Sequence, residues 1–345
     1  MKLSGKWITA PRDLGDIVPV FQKTWNINKK IKKATLIITA LGVYEAELNG
    51  KRVGRFVLSP GWTAYEKRIQ VQEYDITEMI QDDNALSVYV GKGWFRSPMP
   101  GWATDEERKA INEKPCGLIG EIRIKYDDNS EEIISTDETW VTRESAFRFS
   151  EIYDGETYDA TFNLKKTKNA IFLKWPVRSL IKQEGEEICE KERVAAKSII
   201  HTPKGETVID FGQEVTGYVE FTVKAKAGDR IRIQHGEVLD RDGNFYNANY
   251  RNAKAEIQYV CKDGLQTWHP HLTFFGFRYI KLDKFPGQVK LDQFSAIVVY
   301  SDIKRAGEFC CGNEKINRLY SNIIWGQKSN YLDVPTDCPQ RDERL

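Results

Sequence analysis

Apolar and polar residues alternate through most of this chain, and glycine, aspartate and asparagine interrupt the alternation at short intervals. That pattern limits the fold more than any other feature, because a period of two belongs to strands with one buried and one wet face. In residues 219–235 (VEFTVKAKAGDRIRIQH), Val219, Phe221 and Val223 face one way, and Ile231 and Ile233 do the same after Ala227-Gly228-Asp229. The segment predicts a hairpin. Tyr44-Glu45-Ala46-Glu47-Leu48-Asn49-Gly50-Lys51 predicts another, since Asn-Gly supplies the positive φ angles of a type I′ turn. Leu86, Val88 and Val90 alternate again, as do Ile122, Ile124 and Tyr126 before Asp127-Asp128-Asn129-Ser130. This turn spacing predicts antiparallel sandwiches.

A chain of 345 residues is long enough for two or three domains. Pro176 and the charged run 182–193 place one boundary near residue 180. A second falls near Asp302, where the period changes. Beyond it, Ile316, Leu319, Tyr320, Ile323 and Ile324 recur at steps of three and four, with Asn313 as the N-cap and an end before Pro335. The expected organisation is 1–180, a first sandwich; 181–301, a second; and 302–345, the start of a helical domain. A single amphipathic helix cannot bury its apolar face alone, so the rest of that domain is expected elsewhere.

Lys plus Arg number 51 and Asp plus Glu 50, a net charge of +1. That balance leaves no electrostatic footprint for nucleic acid or an anionic membrane. No apolar run reaches the ~18 residues of a spanning helix. No apolar segment follows the start Met1-Lys2-Leu3-Ser4-Gly5-Lys6-Trp7, so no signal peptide is read and a cytoplasmic location is expected. Six cysteines without a C-x-x-C and four histidines resemble neither a zinc site nor a disulfide framework, and no cofactor or metal is expected. Two weaker metal patterns exist. His269 and His271 share one face of a strand, but no third ligand lies nearby in sequence. Glu237, Asp240, Asp242 and Asn244 are oxygen ligands of the kind calcium takes, but a hairpin turn on Asp242-Gly243 explains them better.

The richest run is the last, Asp333-Val334-Pro335-Thr336-Asp337-Cys338-Pro339-Gln340-Arg341-Asp342-Glu343-Arg344-Leu345. Its prolines stiffen a loop crowded with carboxylates and arginines. Such a loop is either a salt-bridged surface or a holder for the carboxylates of glycoside hydrolysis, one an acid with a raised pKa and the other a base or nucleophile.

That run resembles the signature of the bacterial α-L-rhamnosidases, glycoside hydrolase family 78. Ala40–Lys51 (ALGVYEAELNGK), Pro60-Gly61-Trp62-Thr63, Gly91-Lys92-Gly93-Trp94-Phe95-Arg96 and SEIYDGETYD at 150–159 are similar to the family's N-terminal sandwich. Asp210-Phe211-Gly212-Gln213, His235-Gly236-Glu237-Val238-Leu239-Asp240 and Phe275-Gly276-Phe277-Arg278-Tyr279 resemble its second sandwich. The resemblance covers nearly the whole chain. It implies hydrolysis of terminal α-L-rhamnosyl residues with inversion, in an (α/α)6 barrel that follows the sandwiches. It assigns Glu343 as general acid and Asp337 as a sugar ligand, with Arg341 and Asp342 in supporting substrate-binding roles.

The family supplies its general base much later, in the barrel, whereas this sequence stops at Leu345. The expected fold is therefore mainly β: two antiparallel, jelly-roll-like sandwiches, then the first helix of a truncated barrel. This stretch alone is expected not to hydrolyse rhamnosides. Its expected partners are a rhamnose-containing glycan or glycoside, the missing C-terminal barrel, and as a further candidate a second copy of the chain. The alternative is a non-catalytic carbohydrate-binding module. Trp62, Trp94 and Trp102 lie in Gly/Pro-rich segments, where they either stack on a sugar or plug a sandwich end.

Overall fold

The structure, a computed structural model, describes residues 1–97, 104–163, 166–175 and 179–341. They form two compact units. The first gathers residues 1–97, 104–151 and 162–185, and the second residues 152–161 and 186–341. The helix near the C-terminus lies in the second unit.

In the first unit the main strands are β1 (Pro19–Asn26), β2 (Ile31–Leu41), β3 (Val43–Leu48), β4 (Arg68–Asp75), β5 (Asp83–Gly91) and β6 (Gly117–Tyr126). One sheet carries β6-β2-β4 and the other β1-β5-β3, all antiparallel. Phe21, Leu86 and Val88 of one sheet and Leu36, Ile38 and Ile122 of the other share one buried core. This is the expected sandwich. Asn49 and Gly50 take φ of 55° and 75° between paired Leu48 and Lys51, so the Asn-Gly turn forms as the sequence predicts. The short strand Ser179–Lys182 runs parallel to β4, which keeps the chain in the first unit through Gly185.

In the second unit the strands are β7 (Gly155–Asp159), β8 (Ile188–Ala195), β9 (Thr207–Ala225), β10 (Arg230–Gly236), β11 (Glu256–Val260), β12 (Gly264–Trp268), β13 (Phe275–Lys284) and β14 (Phe294–Ser301). They are ordered β7-β11-β10-β13-β9-β14-β8, with β12 also on β9. Val219, Phe221, Val223, Ile231 and Ile233 are all buried, as their alternation predicts. The hairpin read from them does not form. β13 lies between β9 and β10, and the turn at 226–229 carries the chain past it. Alternation fixes which face of a strand is buried, not which strand lies beside it.

The helix Glu314–Asn330 begins where the pattern predicts, with the Asn313 side chain accepting from the Lys315 N–H at 3.0 Å. Its apolar stripe is open: Ile316, Leu319 and Ile323 are 45%, 57% and 56% exposed. No helix among the described residues is long and apolar enough to cross a membrane.

Candidate functional site

The motifs 210–214, 235–237 and 275–279 are distant in sequence but lie on neighbouring strands β9, β10 and β13 of one sheet. Asp210 is opposite Tyr279 and Val215 opposite Phe277, so the residues between them on β9 bulge out of register. A bulge re-aims the side chains it carries. Asp210 receives Arg278 in a two-pronged ion pair, Nε to Oδ1 and Nη2 to Oδ2 both at 2.8 Å. Burial disfavours its charge, yet the Arg278 bonds, the Gly212 N–H and Lys197 outweigh that and hold the carboxyl below the usual range.

Glu214 leaves the same bulge with Oε1 shielded from solvent and without a hydrogen-bond partner among the described residues. Burial pushes its carboxyl up to about 9; Glu237 adds to the rise and Arg278 opposes it. Glu214 is thus a neutral acid near pH 7. Glu237, at the end of β10, is also raised by burial, but Asn249 and the Arg341 guanidinium pull the other way. The Asn249 Nδ2 donates to Glu237 Oε2 at 3.4 Å. Behind them Tyr250 is buried and its hydroxyl donates to the Gly276 carbonyl at 2.8 Å. His235, fully buried, stacks on Phe275 at 3.9 Å between ring centres, and its Nδ1 lies 2.9 Å from the Ala255 carbonyl. Burial drives its pKa down to about 3, so the ring is neutral.

The chain after the helix returns to this sheet. Tyr331–Leu332 and Val334–Pro335 pair as a tight hairpin through Asp333, whose φ is 67°. The Asp333 N–H donates to Ser301 Oγ at 2.9 Å, the Thr336 N–H to the Asn330 carbonyl at 2.7 Å, and the Thr216 hydroxyl to the Ser329 carbonyl at 2.9 Å. Further on, the backbone at Pro339-Gln340 lies directly on Gly276. A Cβ there would sit 2.9 Å from the Gln340 nitrogen and 3.1 Å from the Pro339 carbonyl carbon. Glycine at 276 is what lets the loop approach.

Of the residues the sequence singled out, Asp337 is exposed on this loop and Arg341 is partly buried. Asp342 and Glu343 lie outside the described residues, as does Trp102. Trp62 and Trp94 stack in the first unit at 6.5 Å and 11°, but Trp94 is only 4% exposed, so little of its surface is open to a sugar. Asp240 accepts from the Asp242 and Asn244 backbone at 3.0 and 2.8 Å, and Gly243 has φ +83°. The carboxylate thus caps the turn of a hairpin, while Glu237 accepts from Asn249. His269 and His271 stack at 4.9 Å, and no group of three His, Cys, Asp or Glu side chains among the described residues is placed to hold a metal.

Sequence reasoning missed Glu214, Asn249 and the role of Gly276. Part of their signal was present: a carboxylate and a glycine inside strand motifs, at Glu214 and Gly276. A buried acid shows itself only when its neighbours are known.

Residues 29–197 match the alpha-L-rhamnosidase N-terminal domain, 200–300 the bacterial alpha-L-rhamnosidase concanavalin-like domain, and 304–345 the bacterial alpha-L-rhamnosidase 6 hairpin glycosidase domain. The chain is 35% identical to an alpha-L-rhamnosidase of Streptomyces avermitilis over 100% of its own length and 35% of that protein's. Its structure resembles the alpha-L-rhamnosidase of Aspergillus terreus with a TM-score of 0.92 at 33% identity, covering 99% of this chain and 41% of that one. It also resembles the S. avermitilis alpha-L-rhamnosidase solved with L-rhamnose, with a TM-score of 0.89 at 33% identity, covering 95% of this chain and 33% of that one. The chain thus spans about a third of the length of the curated relatives it matches.

Proposed function

This chain belongs to the bacterial α-L-rhamnosidase family, and from that premise we propose that residues 1–345 form the leading part of an enzyme that removes terminal α-L-rhamnosyl residues from glycosides or polysaccharides with inversion. One observation carries the reading. The run 331–341 is a hairpin pinned to Ser301 and a loop laid on Gly276, so Asp337 and Arg341 stand on a fixed backbone. A fixed backbone is what a sugar-binding group needs, because catalytic and binding side chains act only when a supporting shell holds them. In this reading Asp337 accepts from sugar hydroxyls, Arg341 and Asp342 shape the subsite, and Glu343 protonates the leaving oxygen. The S. avermitilis relative, solved with L-rhamnose, supports a rhamnoside as the ligand.

Inversion needs a second carboxylate ~6.5–9.5 Å from the acid, across the sugar and with room for a water. In this reading Glu214 and Glu237 do not supply it, since Glu214 Oε1 is shielded from solvent and Glu237 accepts from Asn249. On this reading the 345-residue polypeptide alone is expected to be inactive. A hydrolysis rate on an aryl α-L-rhamnoside that vanishes in its Glu343→Gln variant would contradict this.

A second reading rests on the Trp62–Trp94 stack, whose Trp62 ring remains partly exposed. Here the first sandwich binds a rhamnose-bearing glycan without catalysis. Saturable L-rhamnose binding lost in Trp62→Ala supports it. No binding at millimolar sugar removes it.

A further inference from the structure

Three neighbouring strands of the second unit, β9, β14 and β8, hold the last turn of the helix Glu314–Asn330 and the hairpin after it. From β8, Glu192 Oε1 accepts from the Lys328 ammonium at 2.5 Å. From β9, the fully buried Thr216 hydroxyl donates to the Ser329 carbonyl at 2.9 Å. From β14, Ser301 Oγ accepts from the Asp333 N–H at 2.9 Å. Ser329 is the one buried residue of the helix, and Leu332 after it is fully buried. A further bond passes the constraint on. The Thr336 N–H donates to the carbonyl of Asn330, the last helical residue, at 2.7 Å. Asp337 comes next in the chain.

The charged contact is built from several sides. The register of β8 against β14 shifts between Glu190 and Glu192, and such a bulge re-aims the side chains it carries. Glu192 Oε1 accepts from the Tyr300 hydroxyl of β14 at 3.0 Å as well as from Lys328. The Lys328 ammonium lies 4.4 Å from the centre of the Trp325 ring, three residues back on the helix, and 5.5 Å from that of Tyr300. Aromatic faces attract a cation at these distances. A fully solvated ion pair contributes little, but the Lys328 and Glu192 side chains are only 25% and 34% exposed. A charge-assisted bond so flanked is directional.

We propose that Glu192, acting through Lys328, and Thr216, acting through Ser329, are positioning residues for Asp337: they fix where the helix ends on the sheet, and so where the loop begins. The inference rests on the proposed function in taking Asp337 to be a sugar ligand; the grip on the helix end is independent of any substrate. Asp337 then stands between two fixed points. Behind it the chain is held at Lys328, Ser329 and Asp333, and beyond it Pro339-Gln340 lies on Gly276. With the helix end released, only the second point remains, and a loop fixed at one end does not hold a side chain in one place.

Two readouts test it. The first is amide hydrogen exchange of the 345-residue chain, as protection of residues 329–337 against that of β9 and β14. Lys328→Met, which keeps the length and loses the charge, is expected to lower protection of 329–337 about tenfold while the strands are unchanged. Glu192→Gln lowers it by the same factor, the double variant lowers it no further, and Lys328→Arg retains it. The second is steady-state hydrolysis of an aryl α-L-rhamnoside by the full gene product that contains this stretch. There Lys328→Met raises KM by more than it lowers kcat, as loss of a sugar contact does, and Lys328→Arg restores KM. Unchanged protection in Lys328→Met, additive losses in the double variant, or lowered protection with an unaltered KM would overturn the proposal. Should Lys328→Met fail to fold, Thr216→Val, which keeps the shape and drops the bond to Ser329, is judged by the same outcomes. A gene product without rhamnosidase activity removes the proposed function instead, and the exchange experiment still decides whether the helix end is gripped.

Discussion

His235 shows how one residue fixes a condition of stability. It is fully buried, stacked on Phe275 and edge-on to Phe277, and the single Ala255 carbonyl at its Nδ1 does not offset the cost of charging it there. The unfolded ring titrates near 6.5 and the folded one at about 3. Between those values the unfolded chain binds more protons. Stability is thus intact above about pH 6.5 and declines as the pH falls towards 3, by about 2 kcal/mol between 6.5 and 5 from this group. Urea midpoints at pH 7 and pH 5 will show a smaller acid loss in His235→Phe than in wild type; equal losses would contradict the assignment. Gly217 acts through space rather than charge. Its φ is +155°, and a Cβ would sit 1.8 Å from the Ile297 carbonyl oxygen on β14. Gly217→Ala must open the β9–β14 ladder and should cost at least ~2 kcal/mol in denaturant unfolding. A midpoint within error of wild type would refute the contact.

At the scale of elements, legibility followed locality. The Asn49-Gly50 turn and the Asn313 cap were readable because their chemistry lies within four residues. The placing of β13 between β9 and β10 was not, because strand neighbours are chosen by contacts between segments some 40 residues apart or more. The helix is the instructive case. Its period of three and four was plain in the sequence, yet the stripe through Ile316, Leu319 and Ile323 is exposed. A helix patterned for burial and left open on that face predicts adhesion. The 345-residue polypeptide should bind a hydrophobic dye and self-associate as its concentration rises. Leu319→Glu with Ile323→Glu should suppress both while leaving β-sheet circular dichroism intact. A monodisperse, dye-silent wild type would show that the stripe is covered.

For the whole molecule, the sequence was informative about lineage and silent about mechanics. The last run pointed to a family because its motif is written in consecutive residues. What lies beneath it is scattered in sequence: Gly276 meets Pro339-Gln340, and Glu237 meets Asn249, only in the folded chain. The molecule reads as a platform: β9, β10 and β13 present one surface, and the loop bearing Asp337 and Arg341 lies on it. A platform of this kind holds a loop in place, which a binding or catalytic side chain on it would need. The most direct measurement is proton NMR of aryl α-L-rhamnoside hydrolysis by the full gene product that contains this stretch, run beside its Glu343→Gln variant. The account predicts that the β-anomer of L-rhamnose appears first and that the variant loses about 10²–10⁴ in rate. First release of the α-anomer, or a variant as fast as wild type, would contradict it.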